Sequence, residues 1–127
     1  MPKSRNLPER ALLIRPPAID DVLSGSKTWE IRSRSTNVRG RIGLIRSGSG
    51  TVVGTCELLD VIGPLRYGEY RRNARKWGGK PSEVSRADHL QFYAWVLRKA
   101  KRFRSPVPYR HPNGAIIWVR LTKKALR

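Results

Sequence analysis

The hydrophobic positions fall into discrete runs separated by Gly, Pro and charged residues, and each run predicts one element. Residues 11–15 are apolar and stop at two prolines, as a buried strand does before a turn. In the next stretch Ile19, Val22 and Leu23 share one helical face. Gly25 is placed to cap the C-terminal end of that helix. The chain is therefore expected to begin with a strand and a helix of about two turns.

The later apolar runs predict an extended segment and four more strands, over residues 26–34, 40–47, 51–62, 92–103 and 114–121. Gly54 inside the third run indicates a bulge of the kind small barrels need. The last run is apolar on both faces, which predicts a central strand. A turn is expected over residues 105–114. Residues 66–87 are polar and rich in Arg, which predicts one or two short helices broken near residues 78–81.

This order of elements predicts an α+β fold, a small mixed β-barrel of five to six strands with short flanking helices. A chain of 127 residues is long enough for one domain. We place that domain at residues 11–122, between a flexible basic N-terminus (1–10) and a basic C-terminal tail (123–127).

Charge restricts the partners more than the fold. The 27 Lys and Arg residues outnumber 9 Asp and Glu, which gives a net charge of +18. Repulsion of this size favours a polyanionic partner, nucleic acid before an anionic membrane. No stretch approaches the ~20 apolar residues of a membrane span, and the first ten residues lack the apolar segment of a secretory signal. We expect a cytoplasmic monomer that binds RNA or another single-stranded nucleic acid.

Metal and cofactor sites are not predicted. Cys56 is the single cysteine and is expected to pack in the core. His89 and His111 are far apart and lack metal-ligand spacing. No Gly-rich nucleotide fingerprint is present.

Three charged residues follow the predicted helix closely. Lys27 provides a point charge for phosphate, or an amine whose pKa falls if it is desolvated. Glu30 can orient Lys27 or serve as an acid or base, and Arg32 presents a planar fork for phosphate or a base edge. Taken alone, they are better interpreted as a surface ion-pair cluster. Lys27 and Glu30 would face opposite sides of a regular strand, so their convergence requires a turn near Thr28 and Trp29.

The segment LSGSKTWEIRSR, residues 23–34, resembles the G-x-K-x-x-E-x-R motif of the ASCH domain family, a relative of the PUA domains of RNA-modifying enzymes. The motif residues are Gly25, Lys27, Glu30 and Arg32. The flanking segments GRIGLIRSGSGTVVG and YAWVLRKAKRF and the closing strand extend the resemblance to about residues 11–121. It implies a PUA-like barrel with a cleft between barrel and helix, where nucleic acid or a modified nucleoside binds.

The resemblance leaves a binding module and an enzyme as alternatives. Family activities include metal-independent ribonuclease, for which Lys27, Glu30 and Tyr93 are the catalytic candidates, with Arg32 on the phosphate. The alternative is an amidohydrolase acting on N4-acetylcytidine. Its motif has Thr three residues after the Lys, where this chain has Glu30. A nucleoside also gives little reason for a charge of +18. RNA binding, with cleavage as an added activity, therefore ranks first.

The basic residues and interleaved aromatic rings predict a nucleic-acid lining. Trp29 is a stacking candidate, while Trp95, Trp118 and Phe103 are expected to pack. Ser47 and Ser49 lie in a Gly-rich turn that could offer N–H groups to an anion, although the pattern favours a plain hairpin turn. The predicted nucleic-acid-binding residues are Arg32, Arg34, Arg46, Ser47, Ser49, Trp29, Arg71, Arg75 and Lys76.

Overall fold

A computed structural model describes residues 7–80 and 91–126. These residues contain six strands and three short helices joined by loops. The strands are β1 (Arg10–Ile14), β2 (Trp29–Arg32), β3 (Gly40–Arg46), β4 (Thr51–Ile62), β5 (Tyr93–Pro108) and β6 (Trp118–Arg120). The helices are α1 (Ala18–Ser24), α2 (Tyr67–Arg72) and α3 (Ala74–Trp77). The predicted flexible N-terminus and the second half of the predicted helical region 66–87 lie largely outside the described residues.

The strands form one mixed sheet in the order β2-β5-β4-β3-β1-β6. The β1 and β3 strands run parallel, and the other neighbours are antiparallel. A parallel pair needs a crossover, which here contains α1 and β2. The sheet curls into a half-barrel, which confirms the predicted α+β class and small mixed barrel.

The main core lies between the curled sheet and α1. The predicted apolar face of that helix, Ile19, Val22 and Leu23, is buried against the sheet. Gly25 ends the helix in the left-handed conformation, with φ of 86°. At Gly54 a side chain would overlap Leu23 and the β5 backbone, and the β4–β5 register shifts there. The predicted bulge is confirmed, and it lets α1 approach the sheet closely.

A smaller apolar cluster joins α2 and α3 to the outer face of β2 and β5. Its buried members are Trp29, Leu65, Ala94 and Val96. Tyr70 and Trp77 pack against it and stack on each other with ring centroids 4.7 Å apart. These two rings of the Arg-rich segment therefore serve packing. The packing predicted for Trp95, Trp118 and Phe103 is confirmed.

Two predictions about the C-terminal third were wrong. The β5 strand continues four residues into the expected turn, to Pro108, because Val107 and Pro108 pair with the start of β4. Proline is tolerated there because β2 pairs with β5 only as far as Val96, and no other described strand pairs with that edge of β5 beyond it. The last strand is an edge strand that pairs only with β1. Its apolar residues pack on the core from the sheet edge, where Trp118 stacks on Trp95.

Candidate nucleic-acid cleft

A cleft of about 770 Å³ opens where α1, the end of β1 and the chain before β6 meet. We call it the cleft. Part of its wall is apolar and part is cationic. The lining residues are Leu13, Ile14, Arg15, Ala18, Glu30, Arg32, Ser47, Gly48, Gly50, Tyr109, His111, Ala115 and Ile116. Glu30, Arg32 and Ser47 are the predicted site residues among them.

Glu30 is the centre of a partly buried ion network. Glu30 is 7% exposed, and its carboxylate oxygen Oε1 lies 3.3 Å from Lys27 Nζ. The other oxygen, Oε2, accepts hydrogen bonds from Arg32 Nε at 3.0 Å and Nη2 at 2.7 Å. Burial strengthens these charge-assisted bonds and makes the loss of either partner costly. The predicted convergence of Lys27, Glu30 and Arg32 is therefore present.

The convergence depends on the chain between α1 and β2. Lys27 and Thr28 precede the first β2 residue, Trp29, so strand alternation does not apply to Lys27. Lys27 N donates to Asp21 O and its Nζ donates to Trp77 O at 3.0 Å. The ammonium thus links the end of α3 to the carboxylate. Lys27 itself is not part of the cleft lining.

Arg32 is fixed from two further sides. Its Nη2 donates to Leu13 O at 2.7 Å, which ties β2 to β1 across the opening of the half-barrel. Its guanidinium carbon lies 5.6 Å from the centre of the Trp95 ring. Among the described residues nothing bonds the two Nη1 hydrogens. The guanidinium is therefore held rigidly with one N–H pair unoccupied on a residue that lines the cleft.

The predicted aromatic residues lie elsewhere. Tyr93 is directly opposite Arg32 in the β2–β5 ladder, half-buried against the main core, and does not line the cleft. Trp29 is 7% exposed, and Lys76 Nζ lies 5.0 Å above its ring. A buried ring has no open face for a base. This position does not favour the predicted stacking of Trp29 on nucleic acid, because Trp29 packs inside the apolar cluster under α2 and α3.

The turn after β3 contributes only part of what was expected. Ser47 and the glycines on either side of Ser49 line the cleft, whereas Ser49 is exposed and its hydroxyl is within hydrogen-bond distance of Thr51. Arg46 makes two bonds to Asp20, at 2.9 and 3.0 Å, and Arg102 reaches the same carboxylate at 3.6 Å. The hydrogen bonds from Arg46 hold the pKa of Asp20 below its usual value.

Two of the remaining predicted residues, Arg75 and Lys76, lie on a separate basic surface. A second depression of about 710 Å³, which we call the basic groove, is lined by Ser26, Thr28, Arg72, Asn73, Ala74, Arg75, Lys76, Gly79 and Lys80. Arg75 and Lys76 are thus brought together, apart from the cleft. Arg71 and Arg34 are exposed outside both depressions, and the Arg34 carbonyl accepts a bond from Trp95 Nε1.

Most of the cleft lining was not predicted, and the unpredicted residues most suited to ligand contact are Arg15, Tyr109, His111 and Ile116. Tyr109 and His111 belong to residues 105–114, where a turn was expected, and Ile116 belongs to the predicted last strand, residues 114–121. An aromatic residue and a histidine next to basic residues were the available signal. Burial raises the pKa of the Tyr109 hydroxyl.

Within the described ranges, no group of three His, Cys, Asp or Glu side chains is arranged to hold a metal ion. Cys56 is a buried free thiol whose pKa is raised by burial to about 12. No helix within the described residues is long and apolar enough to cross a membrane.

Comparison with known proteins identifies the family. The ASCH domain profile matches residues 12–107, so the chain belongs to the ASCH domain family. No curated protein matches the chain.

Crystal structures of an ASCH protein from Zymomonas mobilis resemble the whole fold. The unmodified protein is 18% identical, with a TM-score of 0.64 over 91% of this chain and 88% of that one. A serine-to-alanine mutant of it gives 18% identity and 0.65 over 91% and 89%. A tyrosine-to-phenylalanine mutant gives 18% and 0.64 over 91% of each chain. At this identity the likeness concerns the fold.

Proposed function

We propose that this protein binds single-stranded RNA in the cleft. The observation that carries the proposal is the position of Arg32 in the lining of a cleft that also contains apolar residues. Its guanidinium is held by Glu30 and Leu13, and its Nη1 hydrogens have no partner among the described residues. A nucleotide chain fits a lining that is part cationic and part apolar, since each unit joins an anionic phosphate to a planar, weakly polar base. A positively charged depression with apolar contact surface is what single-stranded binding uses.

Arg15 adds a second cation to the same lining. It follows β1 directly, is exposed, and makes no side-chain bond within the described part of the chain. Glu30 is the sole acidic residue among those that line the cleft, and Lys27 and Arg32 offset its charge. The cleft is therefore net positive. The exposed Arg15 is placed for phosphate, whereas the fixed Arg32 is suited to directional recognition.

The basic groove supports a polymer more than a nucleoside. Four cationic side chains line it, from Arg72, Arg75, Lys76 and Lys80, and none of the described residues in its lining is acidic. Together with a net charge of +18, these residues offer several phosphates a counter-charge. A single nucleoside carries no phosphate and gains nothing from them. RNA, with single-stranded DNA as the competing polymer, is therefore the preferred ligand class.

Cleavage remains a weaker proposal than binding. Metal-independent cleavage by Lys27, Glu30 and Tyr93 requires all three at the scissile phosphate. Lys27 and Tyr93 do not line the cleft, and both oxygens of Glu30 are engaged by cations. The same engagement of Glu30 also argues against it as the base for hydrolysis of N4-acetylcytidine. Binding without turnover is thus the function that the geometry favours.

The test is a titration of labelled 12-mer RNA by fluorescence anisotropy between 50 and 300 mM salt, in EDTA. We expect affinity to fall with a log–log slope of several units, as about one unit is lost per phosphate contact. Arg15→Gln should lower the affinity at fixed salt and reduce the slope by about one. Arg98→Gln is the matched control, because Arg98 is exposed and lines neither the cleft nor the basic groove.

A flat salt dependence, or equal losses in both variants, would contradict the proposal. The same samples are run on a denaturing gel to score cleavage, and parallel tubes contain single-stranded DNA or N4-acetylcytidine. If RNA is cut in EDTA and Lys27→Ala abolishes the cutting, the enzyme alternative replaces the binding module.

A further inference from the structure

One wall of the cleft carries an exposed large apolar side chain. Ile116 is 80% exposed, and the other exposed large hydrophobic residue in the described ranges is Leu59 at 53%. Leu59 lies on β4, outside the cleft, whereas Ile116 lines it. An isolated exposed isoleucine on an ordinary surface needs no explanation. Ile116 differs in that it lines a concave site together with Arg15 and Arg32.

Hydrogen bonds on both sides of Ile116 hold this wall. His111 Nε2 lies 2.8 Å from Ala115 O, and its Nδ1 lies 2.9 Å from the Tyr109 hydroxyl. A carbonyl only accepts, so His111 Nε2 donates and the neutral imidazole accepts from Tyr109 through Nδ1. On the other side, Leu13 N donates to Ile117 O at 2.9 Å. Ile116 therefore projects from a braced segment.

The brace extends to the opposite side of the cleft. Tyr109 is 9% exposed, and its backbone N donates to Gly50 O at 3.1 Å, in the turn that follows β3. Since this hydrogen bond joins the segment around Ile116 to the turn after β3, the apolar surface of Ile116 is ordered before a ligand binds. Ordering before binding lowers the entropic cost of the contact.

We propose that Ile116 is the contact surface for a nucleobase face, with Arg15 and Arg32 taking the adjacent phosphate or base edge. This inference rests on the proposed function and adds its recognition element. A bare polyanion would use the arginines and gain nothing from Ile116, and an apolar ligand would leave both cations unpaired. A ligand unit that joins a planar base to a phosphate satisfies both parts of the lining.

The test compares Ile116→Ala with Leu59→Ala, the matched control. The probes are an oligouridine 12-mer, an abasic ribose-phosphate 12-mer and inorganic polyphosphate, measured by anisotropy or competition at one salt concentration. Ile116→Ala should weaken oligouridine binding by about tenfold, as expected for one lost apolar contact of this size. Its affinity for the two base-free probes and its salt slope should not change. Leu59→Ala should resemble the unmodified protein with every probe.

A second variant guards against a result caused by altered folding. Ile116→Trp, which enlarges the apolar surface, should tighten binding of oligouridine and leave the base-free probes unaffected. If oligouridine binding is steeply salt-dependent but indifferent to both variants, the base contact is refuted and the proposed function stands. If Ile116→Ala weakens all three probes equally, the base contact is likewise refuted. If the unmodified protein binds no oligonucleotide, the proposed function falls, and the inference with it.

Discussion

Removal of the Glu30 carboxylate should destabilise the fold strongly, because it leaves two cations without their counter-charge. Glu30→Gln keeps the side-chain size and removes the charge. Breaking a buried pair costs about 3–5 kcal/mol. Here the Lys27 and Arg32 side chains are 12% and 20% exposed, and each retains a carbonyl acceptor, Trp77 O or Leu13 O. The expected loss is therefore about 2–3 kcal/mol of unfolding free energy.

The assay is urea unfolding followed by circular dichroism, with a thermal melt as a check. A loss of that size should lower Tm by roughly 6–15 °C in a chain of this length. Glu9→Gln is the matched control, since its pair with Arg120 is 72% and 67% exposed and is expected to contribute less than about 0.5 kcal/mol. If Glu30→Gln and Glu9→Gln unfold at the same urea concentration, the network is not a stabilising element and this reasoning is wrong.

Three other perturbations have definite expected outcomes. With a pKa of about 12, roughly one Cys56 thiol in ten thousand is ionised at pH 8. A thiol reagent should therefore label the native protein slowly and the urea-unfolded protein rapidly, and equal labelling rates would contradict the burial of Cys56. Gly54→Ala should lower the free energy of unfolding by about 2–3 kcal/mol, because a methyl group there overlaps the β5 backbone. Gly68→Ala, where the methyl group meets a flexible arginine side chain, should lower it far less in the same assay. Arg46 lowers the pKa of Asp20, so the contribution of Asp20 to stability is present above about pH 4 and is lost as the pH falls through the lowered pKa. The Asp20→Asn variant should therefore lose less stability than the unmodified protein between about pH 5 and pH 2.

Most of the fold was predictable because apolar spacing and Gly positions determine it locally. The β4 bounds, residues 51–62, and the cap at Gly25 agree with the pattern. The edge position of the last strand was not predictable in the same way. An apolar run such as residues 114–121 is compatible with a central strand or with an edge strand that packs on the core, and only the tertiary pairing distinguishes the two.

The candidate site was predictable where a motif fixed it and not where loops form it. The spacing of Lys27, Glu30 and Arg32 brought three charges together, yet it gave no sign that Lys27 turns toward α3 instead of lining the cleft. The wall around His111 and Ile116 comes from a segment about 80 residues further along the chain. No local pattern reports such a distant approach, so His111 was assigned to a turn and Ile116 to the start of the last strand.

The most direct test of the central claim is to map where RNA contacts the protein. Two-dimensional NMR of the labelled protein, titrated with an oligouridine 12-mer, should shift the backbone amides of Arg15, Ser47, Gly48, His111 and Ile116. Those of Leu59 and Lys99, which line neither the cleft nor the basic groove, should stay unchanged. Shifts confined to the basic groove, or spread evenly over all exposed cations, would contradict binding in the cleft.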